Sequence, residues 1–421
     1  MKNIQKKLFI PILCLLLMSL SVESSAVGLW GKNAKGIYVN SQGQAIERAI
    51  KKGIDVSYHQ GVIDWEAVKQ SDVEFVMLRC GVGEDMEVQD DKQWLRNATE
   101  CERLEIPYGV YLYSFATNET KAASEARHAI RLLQGRKLSY PVYYDLEAAS
   151  IAGLPNTQYT KNAKVFCNAL KKAGYETGIY ANYSWFNTKL TDPWFDTQKK
   201  WIARYNTECG YEKSYQMWQS TNTGTVPGIK GNVDINFLIE DKPTVTFSKA
   251  ASGGYNSHKL TWTSKTKADW YEIWCKAPGK TKYTRVARIA GTANSYTVKN
   301  RTTGKDYYYK IRVGKTINGK TYTAYSGVKK VKATLAKVTL STVKKSGKKV
   351  TLRWKKVTGA SGYKIYYSKK KSSGYSLLKT VKKGSATSAT ITVGTGKRYY
   401  KIRAYRNVSG KAVYGGYSNI K

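Results

Sequence analysis

Asp145 and Glu147 stand two residues apart at the end of an otherwise apolar run, PVYYDLE (141–147). Alternation along a strand puts residues i and i+2 on one face, about 6–7 Å apart at a rise of ~3.3 Å per residue. Two carboxylates that close in a shielded pocket cannot both ionise cheaply, so one pKa rises. One group can then protonate a leaving oxygen while the other supports developing positive charge, which is the chemistry of glycosidic bond hydrolysis. Two further acids interrupt apolar runs: Asp55 in GIDVS (53–57) and Asp234 in VDINFL (233–238). A structural reading competes, in which Asp145 and Glu147 pair with Arg79 and Arg204, because acids are rarely buried alone. Tyr58, Tyr113, Tyr144, Tyr180, Asn182, Trp218 and Gln219 gather at the ends of the same runs. Rings and amides suit the C–H faces and hydroxyl edges of sugars, although each tyrosine taken singly reads as packing. The three histidines are far apart and no C-x-x-C occurs, so neither a metal site nor a cofactor is expected. His59 reads as a bystander.

Eight apolar runs must position these groups: 53–57, 74–80, 108–114, 141–147, 177–182, 200–204, 215–219 and 233–238. They are nearly continuous rather than alternating, as in a sheet buried on both faces. Helical patterns at 64–70, 91–104, 119–134 and 156–172 separate the early runs. Strand and helix in alternation predict a parallel sheet, and eight strands in this length predict a closed α/β barrel of the TIM type. The last connections are short, so about five helices and three bare final strands are expected. In a closed barrel the first and eighth strands are neighbours, which brings Asp55 and Asp234 side by side. An open doubly wound sheet is the alternative.

The chain has 421 residues, enough for two to four domains. Its longest apolar run, Leu8–Leu20, follows Lys2, Lys6 and Lys7 and leads to Ser24-Ser25-Ala26. That run is too short to span a bilayer and has the form of a secretory signal peptide, 1–26. No transmembrane segment is expected, and the mature protein is read as exported. Five cysteines remain after cleavage (Cys80, Cys101, Cys167, Cys209 and Cys275); an odd number leaves at least one thiol unpaired.

With these runs in place, residues 53–240 resemble family 25 glycoside hydrolases, the muramidases. The matching segments are GIDVSYHQGVIDW (53–65), FVMLRCGVG (75–83), CERLEIPYGVYLYSFA (101–116), PVYYDLE (141–147), YANYSWF (180–186), MWQ (217–219) and GNVDIN (231–236), in that order. The resemblance implies cleavage of the β-1,4 bond between N-acetylmuramic acid and N-acetylglucosamine of peptidoglycan, with retention. It makes Glu147 the proton donor and later base, and Asp145 the stabiliser of the cationic species. Asp55 and Asp234 become orienting acids of the pocket floor.

The formal net charge of +40 is unevenly placed. Residues 243–421 hold 41 Lys and Arg against three acids, whereas the first 242 residues are nearly neutral. This tail is an internal repeat: LTW (260–262) recurs as LRW (352–354), YEIWCK (271–276) as YKIYYS (363–368), and YYYKIR (307–312) as RYYKIR (398–403). Two copies of about 90 residues with strand alternation and polar turns predict two immunoglobulin-like β-sandwiches, which resemble fibronectin type III modules. A surface without interspersed acids is built to sit on a polyanion. For an exported protein that is an anionic wall polymer such as teichoic acid; no specific nucleic acid is expected, since phosphate attraction alone carries no specificity.

The expected organisation is signal peptide 1–26, leader 27–50, catalytic barrel 51–242 and modules 243–333 and 334–421. The whole is a monomeric secreted peptidoglycan hydrolase held on the cell wall. The rival readings are a non-catalytic wall-binding or adhesive protein, and a hydrolase of another β-1,4 aminosugar polymer such as chitin.

Overall fold

A computed structural model describes residues 30–421; the expected signal peptide, 1–26, lies outside the described residues. Eight strands close into a barrel: β1 (Ala49–Val56), β2 (Phe75–Val82), β3 (Tyr108–Tyr113), β4 (Val142–Asp145), β5 (Thr177–Asn182), β6 (Lys199–Ala203), β7 (Met217–Gly224) and β8 (Val233–Ile239). From β1 to β7 each strand pairs in parallel with the next. The expectation of a wholly parallel sheet fails at β8, which is antiparallel to both β7 and β1. The cause is chain length: only residues 225–232 join β7 to β8, and a parallel crossover needs a dozen residues or more. The hairpin starts β8 at the end of the barrel where β1 finishes, so Asp234 stands opposite Asp55 in register.

Four helices fall where the patterns put them, α1 (Trp65–Lys69), α2 (Trp94–Arg103), α3 (Glu119–Leu133) and α4 (Asn156–Lys172), and two short ones follow, α5 (Tyr183–Thr188) and α6 (Pro193–Asp196). Side-chain oxygens of Asp64, Asn118, Asn182 and Asp192 cap α1, α3, α5 and α6, which satisfies backbone donors that the first turn leaves free. Strand parity sorts the barrel into two layers. Ile54, Leu78, Val110, Tyr144, Ile179 and Ile202 point outward into the layer shared with the helices. Phe75, Met77, Tyr111, Tyr143, Trp201 and Met217 point inward and fill the barrel. Gly178 makes that filling possible: a Cβ there would lie 2.4 Å from the Tyr143 ring.

Ahead of β1, Gly31–Lys32 pairs with Tyr38–Val39. This small hairpin packs on the outside of the closing strands, with Trp30 edge-on to Trp218 at 5.7 Å and Tyr38 5.8 Å from Phe237. Beyond the barrel the chain is all β. The first unit has a three-stranded sheet (Thr246–Gly254, Ser257–Thr263, Ser295–Val298) and a five-stranded one built around Trp270–Lys276 and Asp306–Ile317. The second repeats it with a three-stranded sheet (Leu340–Ser346, Lys349–Trp354, Ser388–Thr392) and a four-stranded one (Gly362–Ser368, Ser376–Val381, Tyr399–Val408, Lys411–Tyr414). Trp262 on Tyr271 and Trp354 on Tyr363 form equivalent core contacts. Among the described residues the five cysteines, four in the barrel and Cys275 in the first C-terminal unit, are all buried and unpaired.

Candidate active site

A cavity of about 250 Å³ opens at the carboxyl ends of the parallel strands. Asp55, Asp145, Glu147 and Asp234 all line it, together with Tyr113, Tyr180 and Gln219. β1 presents Asp55, β4 ends on Asp145 and β8 carries Asp234 as its second residue. Glu147 lies two residues past the end of β4, so the loop at the rim carries it rather than the strand face expected from its spacing.

A hydrogen-bond network fixes the floor. Gln219 Nε2 donates to Asp55 Oδ2 at 2.8 Å and to Asp234 Oδ2 at 3.3 Å, and Asn236 Nδ2 donates to Asp55 Oδ2 at 2.7 Å. Gln219 is itself oriented by the hydroxyls of Tyr180 and Tyr205, which donate to its Oε1 at 2.9 and 3.2 Å. Trp201 Nε1 donates to Asn236 Oδ1 at 2.8 Å. Asp55 thus receives two amide donors whose own acceptors are tied down, an arrangement that holds a carboxylate in one orientation.

Asp145 is different. It is 2% exposed, and its Oδ1 has no hydrogen-bond partner among the described residues. The ion-pair reading does not hold either. Arg79 Nε binds Asp91 Oδ2 at 2.9 Å and its guanidinium lies over the Tyr58 ring, while Arg204 lies over Tyr183 and donates to Cys209 O. Among the described residues no ion pair includes any of the four acids.

Carboxyls crowded into one pocket raise one another's pKa values. Burial first, then the charges of Glu147 and Asp55, push Asp145 well above the carboxylate range, with Arg79 offsetting part of this. Burial, the largest cause, also raises Glu147, and it raises Asp55 against its amide donors. Asp234 is pushed up to about 8 by burial and by the Asp55 carboxylate beside it. Carboxyls raised together in one pocket can share protons among themselves, which is what acid catalysis with electrostatic support uses.

Parity corrects the proposed sugar contacts. Tyr144 and Trp218 sit on the outward alternation of β4 and β7. Tyr144 stacks on Phe166 and donates its hydroxyl to Glu125, and Trp218 donates Nε1 to Arg204 O, so both face the helix layer and neither lines the cavity. The Asn182 side chain turns back to accept from Trp185 N at 2.9 Å, and Tyr58 lies outside the lining, its ring tilted against His59. The sequence reading missed Asn236, Trp201 and Tyr205. Asn236 carries the same inward parity as Asp234, two residues earlier, and Trp201 follows the alternation of β6; Tyr205 lies on a loop with no pattern to flag it. His59 does line the cavity.

Residues 54–229 match the model of glycosyl hydrolases family 25. The match ends before β8, so Asp234 and Asn236 lie beyond it. The autolytic lysozyme of Clostridium acetobutylicum is 29% identical over 193 residues, covering 45% of this chain and 56% of that protein. Lysozyme M1 of Streptomyces globisporus is 27% identical over 200 residues, covering 44% and 66%. Among solved structures, the modular autolysin LytC from Streptococcus pneumoniae is 32% identical, with a TM-score of 0.45 over 50% of this chain and 52% of that one. The chain thus spans between about half and two thirds of the length of the curated relatives it matches. Over residues 54–229, most of the barrel, the chain is similar to the family 25 glycosyl hydrolases.

Proposed function

We propose that the barrel is a muramidase that cleaves the β-1,4 bond between N-acetylmuramic acid and N-acetylglucosamine in peptidoglycan, with retention. The observation that carries the reading is the convergence of Asp55, Asp145, Glu147 and Asp234 on one cavity, none of them in an ion pair among the described residues. The names of the two lysozyme relatives agree with it.

Glu147, at the rim and raised by burial, is the proton donor to the leaving oxygen and then the base toward water. Asp145, deep and with one oxygen unpartnered, stabilises the cationic sugar or an oxazolinium formed from its acetamido group. Asp55, locked by Gln219 and Asn236, and Asp234 orient and polarise. Tyr113, Tyr180 and Gln219 are the sugar contacts that remain of those proposed. The chain is exported through its first 26 residues, and 243–333 and 334–421 are fibronectin type III-like modules that hold the enzyme on anionic wall polymer.

Digestion of purified peptidoglycan, followed by borohydride reduction and mass spectrometry of the new ends, tests this. Muramitol ends are expected, and Glu147→Gln should reduce their rate of formation by about 10²–10⁴-fold, the usual worth of a positioned acid. Glucosaminitol ends, or no new ends on several wall types, would overturn it.

A further inference from the structure

The two C-terminal units agree at positions that folding does not demand. On strand Asp306–Ile317, Tyr307, Tyr309 and Ile311 are buried, while Tyr308, Lys310 and Arg312 face solvent. On Tyr399–Val408, Tyr400, Ile402 and Ala404 are buried, while Tyr399, Lys401 and Arg403 face solvent. An exposed tyrosine after the next strand or turn returns over each row: Lys310 Nζ lies 4.1 Å from the Tyr325 ring and Lys401 Nζ 4.1 Å from the Tyr417 ring. Core positions must repeat for a fold to repeat. A solvent-facing Tyr-x-Lys-x-Arg row need not, and its recurrence indicates use.

The copies differ at one decisive position. In the first unit Glu272 stands opposite Arg312 and pairs with Arg285 at 2.7 Å and Arg312 at 3.7 Å. In the second, Lys364 stands opposite Arg403. Residues 334–421 contain 22 Lys and Arg and no Asp or Glu. Arg403 is held among rings instead, with its guanidinium 3.9 Å from Tyr414 and 4.9 Å from Tyr417. Rings orient a cation without cancelling its charge.

We infer that the solvent face of the sheet formed by Gly362–Ser368, Tyr399–Val408 and Lys411–Tyr414 is the principal anchoring face for a phosphodiester-linked wall polymer. The equivalent face of the first unit, partly neutralised by Glu272, is a weaker second site. This rests on the reading of the tail as a wall anchor and is independent of the catalytic assignment. A guanidinium fork beside ammonium groups matches phosphate oxygens, and the rings offer faces to polyol or sugar C–H groups. Cations recurring every second residue, about 6.7 Å apart along the strand, suit a flexible linear polyanion.

The test is pelleting of the full chain, carrying Glu147→Gln so that the substrate survives, with Gram-positive walls before and after hydrofluoric acid removes their phosphodiester polymer. Stripping should weaken binding by about tenfold or more, and Lys401→Gln/Arg403→Gln should weaken it comparably while lowering the slope of log affinity against log salt by about 1.5, two phosphate contacts' worth. Lys344→Gln/Lys349→Gln removes the same charge from the opposite sheet, and should change affinity by less than about twofold and leave the slope nearly unchanged. Glu272→Gln should strengthen binding by about twofold, because it frees Arg285 and Arg312. Equal losses from the two double variants, undiminished binding to stripped walls, or tighter competition by duplex DNA than by the released polymer would each overturn the assignment. If the double variant melts early, Lys401→Gln alone should lower the slope by just under about 1. Failure of the digest with binding retained would sink the muramidase and leave this face standing.

Discussion

A carboxyl whose pKa is raised by the fold is a cost that the site imposes on stability, and its pH dependence has a definite sign. Asp234 titrates near 3.8 when unfolded and at about 8 in the native pocket, so the native state keeps its proton to higher pH. Below the unfolded value both states are protonated and the group contributes nothing. As pH rises, the unfolded chain releases its proton first, and stability falls until the native group ionises near pH 8. Asp234→Asn should therefore stabilise the protein at pH 7–8, by about 1–3 kcal/mol since neighbours share the proton, and not at pH 3. Thermal unfolding across that range checks it; an equal gain at both ends would mean that packing, not charge, is responsible. The acids were legible because Asp55, Asp145, Glu147 and Asp234 each interrupt an apolar run. The outward parity of Tyr144 and Trp218 was equally present in the sequence, but clustering at strand ends says nothing about which face a ring takes.

At the scale of elements, β8 decides the site. Its first residues carry Asp234 and Asn236 into the pocket only because the hairpin over 225–232 reverses the chain, and that hairpin is pinned to the start of α1. Gly228 holds φ +89°, its carbonyl accepts from Asp64 N at 2.9 Å, and a Cβ there would lie 2.3 Å from Asp64 O. Gly231 also has a positive φ, +81°, but open space around it. Gly228→Ala should combine backbone strain with a collision against main chain, costing about 1–3 kcal/mol and lowering activity as Asp234 shifts. Gly231→Ala bears strain alone and should cost less, with activity kept. Denaturant midpoints at constant m separate the two; equal costs would mean that the dock on α1 contributes nothing. Helices α3 and α4 were readable nearly to the residue from their amphipathic periods. The direction of β8 was not, because an apolar run looks the same in either orientation and only the loop length distinguishes them.

For the whole molecule, the reversal of β8 has a further effect: the chain leaves the barrel at the end opposite the cavity. There the first C-terminal unit docks through a hairpin tip, the turn between Ile317 and Lys320, where Asn318 and Gly319 hold φ of +45° and +78°, as an Asn-Gly hairpin turn requires. Asn318 Oδ1 accepts from Tyr38 N at 2.8 Å, and its Nδ2 donates to the carbonyls of Tyr38 and Ile46 at 2.9 and 2.7 Å. Lys315 pairs with Glu240, and Lys320 and Tyr322 reach Glu47. No local pattern announces this contact, since a turn dipeptide reads the same whether its tip meets water or a neighbour 280 residues away. The site therefore faces away from the unit that docks on the barrel, so the wall anchoring proposed for the C-terminal units would leave the cavity open to glycan. Asn318→Gly keeps the positive φ and deletes three hydrogen bonds, a loss of about 1.5–4.5 kcal/mol of coupling at the usual net worth of each. Proteolysis between β8 and Thr246 should then accelerate by about tenfold, while turnover of soluble peptidoglycan fragments stays at the wild-type rate. An unchanged cleavage rate would mean that the ion pair at Glu240 and the Glu47 contacts hold the two bodies together without the turn. A fall in turnover on soluble fragments would instead tie the leader, through Tyr38 and Ile46, to the geometry of β1 and hence to Asp55.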